Sequence, residues 1–342
     1  MTNSLAEDHP ELFHYTNAKG LIGIVESQSI WATHYAYLND SEEIRHFLKH
    51  RLPAILRTNV NQYLDKLLEK GSIKQSDIDR KGGRKKVVDS FIQETRNVNE
   101  KILLKDALAE PYIASFCTTS VLEKEVCVQV AKHGLLSQWR GYGREDGYAI
   151  VFDTKQFFEL LKDVGKKMKN SMYAFFADVV YSSDSDFKFI EEFEEDLIVI
   201  KNFFDAHLSG REKNLDKIYF SLMHCACRYK HWGFREESEV RVIALPYPLH
   251  HEKFDEDMKA EGITLNEISR KYFSRAGALV PYIDLFDGVT SIPNKTLPIK
   301  RIIVGPTKNT QEKNRRINAV KMLINQHGIK ADVTASDIPF VG

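Results

Sequence analysis

The chain has 342 residues, with 48 Lys and Arg against 48 Asp and Glu, so its formal net charge is zero. That balance argues against a general nucleic-acid binder, which needs an excess of cations to neutralise phosphates, and leaves nucleic acid only as an acceptor substrate. The 43% hydrophobic and 28% charged composition is that of a folded chain, and no stretch approaches the roughly 18 apolar residues of a membrane span.

Glu11 to Tyr15 reads as a short strand after Pro10. Thr16 can cap the helix that follows, which carries Leu21, Ile24 and Val25 at helical spacing. Ser27 to Ser29 end that helix, and Ile30 to Thr33 restart as a strand. Leu38-Asn39-Asp40-Ser41 is turn chemistry, with Asp40 or Ser41 capping a helix that opens on Glu42 and Glu43. Residues 42–108 read as a helical insertion, kinked or broken at Pro53 and interrupted at Lys81-Gly82-Gly83-Arg84. Pro111 to Cys117 is a strand, followed by a polar loop to about His133. A short helix over Leu135 to Tyr142 leads into the strand Tyr148 to Phe152, and Thr154 opens another helix. Tyr173 to Tyr181 is a strand, and 184–231 reads as two helices, the first acidic from Glu191 to Asp196. Strands at Glu239 to Leu245 and Ile299 to Val304, a helix over Asn309 to His327 and a strand at Ala331 to Thr334 complete the chain. Strands scattered along the whole length, without repeat or linker, predict one α+β domain around a mixed, mostly antiparallel sheet.

Four cysteines, Cys117, Cys127, Cys225 and Cys227, are too few for a disulfide framework in a chain this long. The polar start MTNSLAEDHPELF lacks the basic and apolar parts of a signal peptide, so the expected location is cytoplasmic.

Three groups of residues can carry chemistry. Glu237, Glu239 and Arg241 alternate with valines, which places them in line on one strand face about 7 Å apart per step. That face is either a solvated surface with self-compensating charges, or a cleft where a carboxylate stabilises developing positive charge and Arg241 steadies it. His14-Tyr15-Thr16, at the end of the first strand, can hydrogen-bond a ligand hydroxyl and stack a flat ring, or supply a structural His and a core Tyr. Trp139 and Tyr142 share a helix face and can wall an aromatic pocket, or pack that helix on the sheet. His224, Cys225, Cys227 and His231 lack CxxC or HExxH spacing, so packing is expected there and no metal. The run Arg84-Lys85-Lys86 reads as a solvated loop or helix start.

The motifs His14-Tyr15-Thr16, Trp31, Leu38-Asn39-Asp40 with Glu43, Ser115-Phe116, Gln138-Trp139, Tyr142-Gly143, Gly147 to Phe152, Trp232, Glu237-x-Glu239-x-Arg241 and Ile302 to Gly305 occur in that order. The set resembles the bacterial family catalogued as domain of unknown function 2971, from about residue 11 to residue 339. A looser resemblance runs to ADP-ribosyltransferases, which place a His at the end of a first strand, aromatic residues around nicotinamide, and a Glu on a later strand. In some of them that Glu is the second member of Glu-x-Glu.

This second likeness implies a sheet of the ADP-ribosyltransferase kind, with NAD as co-substrate. It implies that His14 binds the adenosine-side ribose. Glu239, with Glu237 beside it, would hold the nicotinamide ribose and stabilise the oxocarbenium-like state as nicotinamide leaves. Tyr35, Tyr37 or Trp139 would form the nicotinamide platform, with Tyr15, Thr16, Tyr142 and Arg241 also binding substrate. Asn39 and Asp40 would organise the site from behind. That chemistry needs a placed carboxylate and a stacked ring, and no metal. The expected function is therefore an NAD-dependent ADP-ribosyltransferase-like enzyme, an anti-phage defence or toxin effector acting on a macromolecular acceptor. The alternatives are a metal-independent hydrolase or nuclease built from His14, Glu237, Glu239 and Arg241, and a non-catalytic nucleotide-binding module. The shared expectation is that His14, Asn39, Trp139, Glu237, Glu239 and Arg241 converge on one cleft, because polar groups on core-forming strand ends are costly unless used.

Overall fold

A ten-stranded sheet organises the computed structural model, which describes residues 2–38, 41–104, 111–119, 124–143, 147–168, 171–182, 192–208, 215–247, 259–260, 264, 266–286 and 296–339. Its strands are β1 (Glu11–Thr16), β2 (Trp31–His34), β3 (Tyr112–Cys117), β4 (Tyr148–Asp153), β5 (Met172–Asp178), β8 (Glu239–Pro246), β9 (Lys271–Arg275), β10 (Ala278–Asp284), β11 (Ile299–Val304) and β12 (Asp332–Ala335). Two further strands, β6 (Val180–Ser182) and β7 (Tyr229–His231), form a separate parallel pair. The main order is β12-β11-β4-β1-β3-β2-β10-β9, with β8 on β3 and β5 on β8. Every pairing in this sheet is antiparallel except β11 with β12. The fold is α+β on a mixed, mostly antiparallel sheet.

Several local expectations are corrected. Lys124–His133 is a helix and not a polar loop; its Val126 and Val128 are exposed while Val130 is buried, so its apolar pattern does not mark one clean face. The strand expected over Tyr173 to Tyr181 divides into β5 and β6, which lie in different sheets. Tyr229–His231 leaves the expected helix to form β7. The hairpin β9–β10 was not foreseen. Its two turn residues, Ala276 (φ 50) and Gly277 (φ 82), have the left-handed geometry of a tight hairpin without its usual Asn-Gly or Asp-Gly sequence.

The cap of helix Ala18–Ser27 is Asn17 and not Thr16, since Asn17 Oδ1 accepts from the N–H of Gly20 at 2.9 Å. Within the expected insertion, Pro53 directly follows a π-helical turn, Phe47–Arg51, that joins helices Ser41–His46 and Leu52–Glu69, the local irregularity expected where a proline has no N–H to donate. The turn residues Asn39 and Asp40 lie outside the described residues. The basic run opens helix Arg84–Leu104, with Arg84 paired to Asp65.

The two sheet faces bury different cores. Leu12, Ala114, Phe116, Ile150, Phe152, Val240, Val242 and Ile302 face helices Ala18–Ser27, Thr154–Met168 and Thr310–Gln326. On the opposite face, Ile113, Ile243 and Leu245 pack against the helices of residues 41–104 and against helices Glu194–Leu208 and Leu215–Arg228. A third cluster on that same face gathers Phe13, Tyr15, Val151 and Ile303 around Trp139.

β3 is the pivot. One edge pairs with β8 along its length, from Tyr112↔Ala244 to Cys117↔Glu239. The other edge is shared: β2 takes Tyr112 and Ile113, whereas β1 takes Cys117. Among the described residues, no strand pairs with residues 114–116 on that second edge, so the sheet forks there. The N–H of Thr118 donates to Ser238 O at 2.8 Å, which sets the alternation of the β3–β8 ladder. By that alternation Ser115 turns its own N–H and C=O away from β8 and into the fork.

Gly305, just past β11, closes the structure behind this region. A Cβ there would sit 2.8 Å from Gly147 O and 3.2 Å from the Trp139 ring, while the Gly305 N–H donates to that same Gly147 carbonyl. Gly305→Ala is therefore expected to cost about 1–3 kcal/mol through overpacking, read as a lower midpoint in urea unfolding.

Candidate functional site

The fork opens into a cleft of about 160 Å³ at the seam between the second and third apolar clusters. Both branches and β8 supply its walls: His14 and Tyr15 from β1, Trp31 and Thr33 from β2, Ser115 and Cys117 from β3, and Glu239 and Arg241 from β8. Glu237, Lys230, Tyr142, Gln138 and Arg275 complete the polar and aromatic lining. Residues more than 200 positions apart thus meet because β1 and β8 flank the same central strand.

The solvated-face reading of β8 fails, since Glu239 is 4% and Arg241 2% exposed. Glu239 Oε1 accepts from Arg241 Nε at 2.7 Å, and its Oε2 accepts from Arg241 Nη2 and from Lys230 Nζ, both at 3.0 Å. Lys230, itself 1% exposed, also donates to Glu237 Oε2 at 2.8 Å. Arg241 Nη1 is held by the Cys227 carbonyl at 2.8 Å. Burial alone would raise the pKa of Glu239. Arg241 and Lys230, with hydrogen bonds from Arg241 and the Ser115 side chain, more than reverse this and lower its pKa to about 2. Glu239 is therefore ionised at neutral pH, and the cations Arg241 and Lys230 lie directly against it.

Glu237 enters differently from the expectation that it shares a strand with Glu239. It ends the 3₁₀ helix Trp232–Glu237, and Ser238, left-handed at φ 44, links it to β8. Lys230 restores their proximity.

His14 meets the fork from the other branch. Its Nδ1 lies 3.2 Å from the Ser115 carbonyl, which can only accept, so Nδ1 carries the proton and Nε2 is left as an acceptor. Burial lowers the His14 pKa and favours the neutral ring, although the hydrogen bond to the Ser115 carbonyl acts in the opposite direction. Cys117 is an unpromising nucleophile: burial, then the Glu239 and Glu237 charges, push its thiol pKa well up.

The aromatic residues divide. Tyr142, 44% exposed, lines the cleft, as does Tyr15, whose Oη accepts from the Leu135 N–H at 2.8 Å. Trp139 does not line it. It is fully buried, edge-on to Tyr15 at 4.9 Å, with Nε1 donating to His133 O at 2.9 Å, so it supports the wall from behind. Tyr35 is buried in the second core, and Tyr37 is exposed outside the lining, its carbonyl accepting from Arg275. Thr16 also lies off the cleft, its hydroxyl against Gly20. None of Tyr35, Tyr37 and Trp139 lines the cleft, whereas Trp31, stacked on Tyr282 at 4.3 Å, and Tyr142 do.

His14, Tyr15, Tyr142, Glu237, Glu239 and Arg241 are thus brought together, whereas Thr16, Tyr35, Tyr37 and Trp139 are not. Trp31, Ser115 and Gln138 lay within the ordered motifs without being read as site residues. Lys230 and Arg275 had no such marker. The first was hidden at the end of an apparent helix, and the second sits on the unforeseen hairpin.

Elsewhere, Cys225 and Cys227 are buried thiols in the second core, His224 Nδ1 pairs with Asp196 at 2.7 Å, and His231 Nδ1 accepts from the Gly233 N–H at 3.1 Å. Among the described residues no group of three or more His, Cys, Asp or Glu is placed to hold a metal ion. No helix among them is long and apolar enough to cross a membrane.

The family described as Protein of unknown function (DUF2971) matches residues 138–242, the family that the ordered motifs resemble. The match takes in Gln138, Tyr142, Lys230, Glu237, Glu239 and Arg241, and leaves His14 and Trp31 outside it. No curated protein and no solved structure matches the chain.

Proposed function

We propose that this DUF2971-matching chain is an NAD-dependent ADP-ribosyltransferase-like enzyme whose reaction centre is the fork cleft. The observation that carries the reading is the meeting of His14 with buried Glu239 and half-buried Glu237 around one opening lined by Trp31 and Tyr142. At about 160 Å³ the cleft is smaller than the roughly 300–1,000 Å³ of sites that enclose whole ligands, so it takes one end of a dinucleotide. In the proposed step the bond between ribose C1′ and the nicotinamide nitrogen breaks, and its electron pair leaves with nicotinamide. The acceptor's nucleophilic atom bonds to C1′ and releases its proton to solvent water. Glu239, anionic at neutral pH, stabilises the positive charge that develops at the ribose, and neutral His14 offers Nε2 to a ribose hydroxyl. A macromolecular acceptor would make the protein a toxin or anti-phage effector.

One observation favours a second reading, a non-catalytic nucleotide-binding module: both Glu239 oxygens already accept from Arg241 or Lys230. Incubating the protein with NAD and measuring released nicotinamide separates the two. Release supports the transferase, and saturable NAD binding without release supports the module. Tyr142→Ala is expected to raise KM for NAD about tenfold, the scale of one lost stacking contact, with unchanged melting because the ring is 44% exposed. An unaltered KM would remove Tyr142 from the site.

A further inference from the structure

The small parallel ladder β6–β7 stands outside the main sheet, and three residues a side make a marginal structure unless something else ties them. Its central cross-strand pair is Tyr181 and Lys230. Both reach the same residue of β8. Tyr181 Oη accepts from the Glu239 N–H at 2.8 Å, and Lys230 Nζ donates to the Glu239 carboxylate at 3.0 Å. Lys230 continues to Glu237 at 2.8 Å, with the Phe234 ring 5.1 Å from its ammonium. The ladder is anchored at both ends. Arg228 Nε donates to the Asp178 carbonyl at 2.8 Å, two residues before β6, and Arg51 Nη2 donates to Ser182 Oγ at 3.2 Å.

An ammonium 1% exposed is costly to bury without a purpose that pairs it. Two carboxylates two residues apart, joined through a left-handed Ser238, would repel and separate without a shared cation. From these contacts we propose that Tyr181 and Lys230 are positioning residues, which set where the Glu237 and Glu239 carboxylates stand in the cleft. Tyr181 fixes the Glu239 backbone, and Lys230 draws the two side chains to one side of the opening. The inference rests on the NAD reading only for its kinetic readout.

Lys230→Met keeps the stem and removes the charge. It is expected to lower kcat for nicotinamide release about 10²-fold with KM within about twofold, the signature of a displaced group rather than lost binding. Lys230→Arg should recover at least about a tenth of the wild-type kcat, since it restores the cation in a different shape. A crystal structure of Lys230→Met should show Glu237 turned out of the cleft while Arg241 retains Glu239. Both carboxylates in their original places, or an unchanged kcat, would overturn the proposal. If the wild-type protein releases no nicotinamide, the transferase reading fails by itself, and the carboxylate positions in the variant crystal still decide this one. Should Lys230→Met not fold, Tyr181→Phe carries the test by removing a single oxygen. It should shift the Glu239 backbone in the crystal and lower kcat about tenfold at unchanged KM, and a wild-type position and rate would count against it.

Discussion

Glu239→Gln is expected to lose folding stability and turnover together. The sequence alone assigns the loss to turnover, because Gln preserves shape and most hydrogen bonds. Burial changes that expectation: Arg241 at 2% and Lys230 at 1% exposure would be left sharing one partner carboxylate fewer. Breaking a buried ion pair from one side typically costs about 3–5 kcal/mol, since the remaining charge is neither paired nor solvated. Removing one preorganised charge from a reacting centre typically costs about 10²–10³ in rate.

The stability effect has a pH signature whose sign follows from the direction of the shift. The folded-state pKa of Glu239, about 2, lies below its ordinary 4.5. Its contribution is therefore complete above about pH 4.5 and lost as the pH falls toward 2, a difference of about 3 kcal/mol over that window. Urea unfolding of wild type and variant at pH 7 and at pH 3 checks this: the gap between them should narrow at the lower pH. Glu237→Gln, with its side chain 21% exposed, should lose less stability than Glu239→Gln. A Glu239→Gln protein with wild-type stability and wild-type nicotinamide release would sink the account of the cleft.

Trp139→Ala is expected to cost about 3–5 kcal/mol, because it empties the largest fully buried side-chain position among the described residues and strips Tyr15 of its edge-on neighbour. The His133 carbonyl loses its indole donor as well. Trp139→Phe refills part of the volume but not the hydrogen bond, so about 1–3 kcal/mol should remain missing. If Trp139 acts only from behind the wall, Trp139→Phe should leave KM for NAD near wild type under conditions where the variant is folded. A raised KM at unchanged stability would return Trp139 to the ligand face.

The sequence by itself determined the local elements and the charged faces. Glu11 to Tyr15, Ile30 to Thr33, Pro111 to Cys117 and Tyr148 to Phe152 are short apolar runs with flanking turn or cap residues, and local patterning suffices to make them strands. The alternation of Glu239 and Arg241 with Val240 and Val242 likewise placed the charges on one face and the valines on the other, because a strand has a period of two. Gly305 and Trp139 lay within recognisable motifs, although their mutual packing did not.

Tertiary structure alone decided what those faces meet. The charged face of β8 reads equally well as solvated surface or buried cleft, and the choice is made by Cys227 and Lys230, which the end of helix Leu215–Arg228 and β7 bring against it. The fork exists because β1 and β2 share one edge of β3, a competition between pairings that no local pattern records. Lys230 looked like the last turn of a helix until β7 paired with β6, and Arg275 belongs to a hairpin whose Ala-Gly turn lacks the usual residues. The aromatic residues were sorted by the same non-local packing, with Trp139 behind Tyr15 and Trp31 at the opening. Periodicity tells which side a residue points to, whereas the partner on that side is set by contacts that loop closure brings together only in the finished fold.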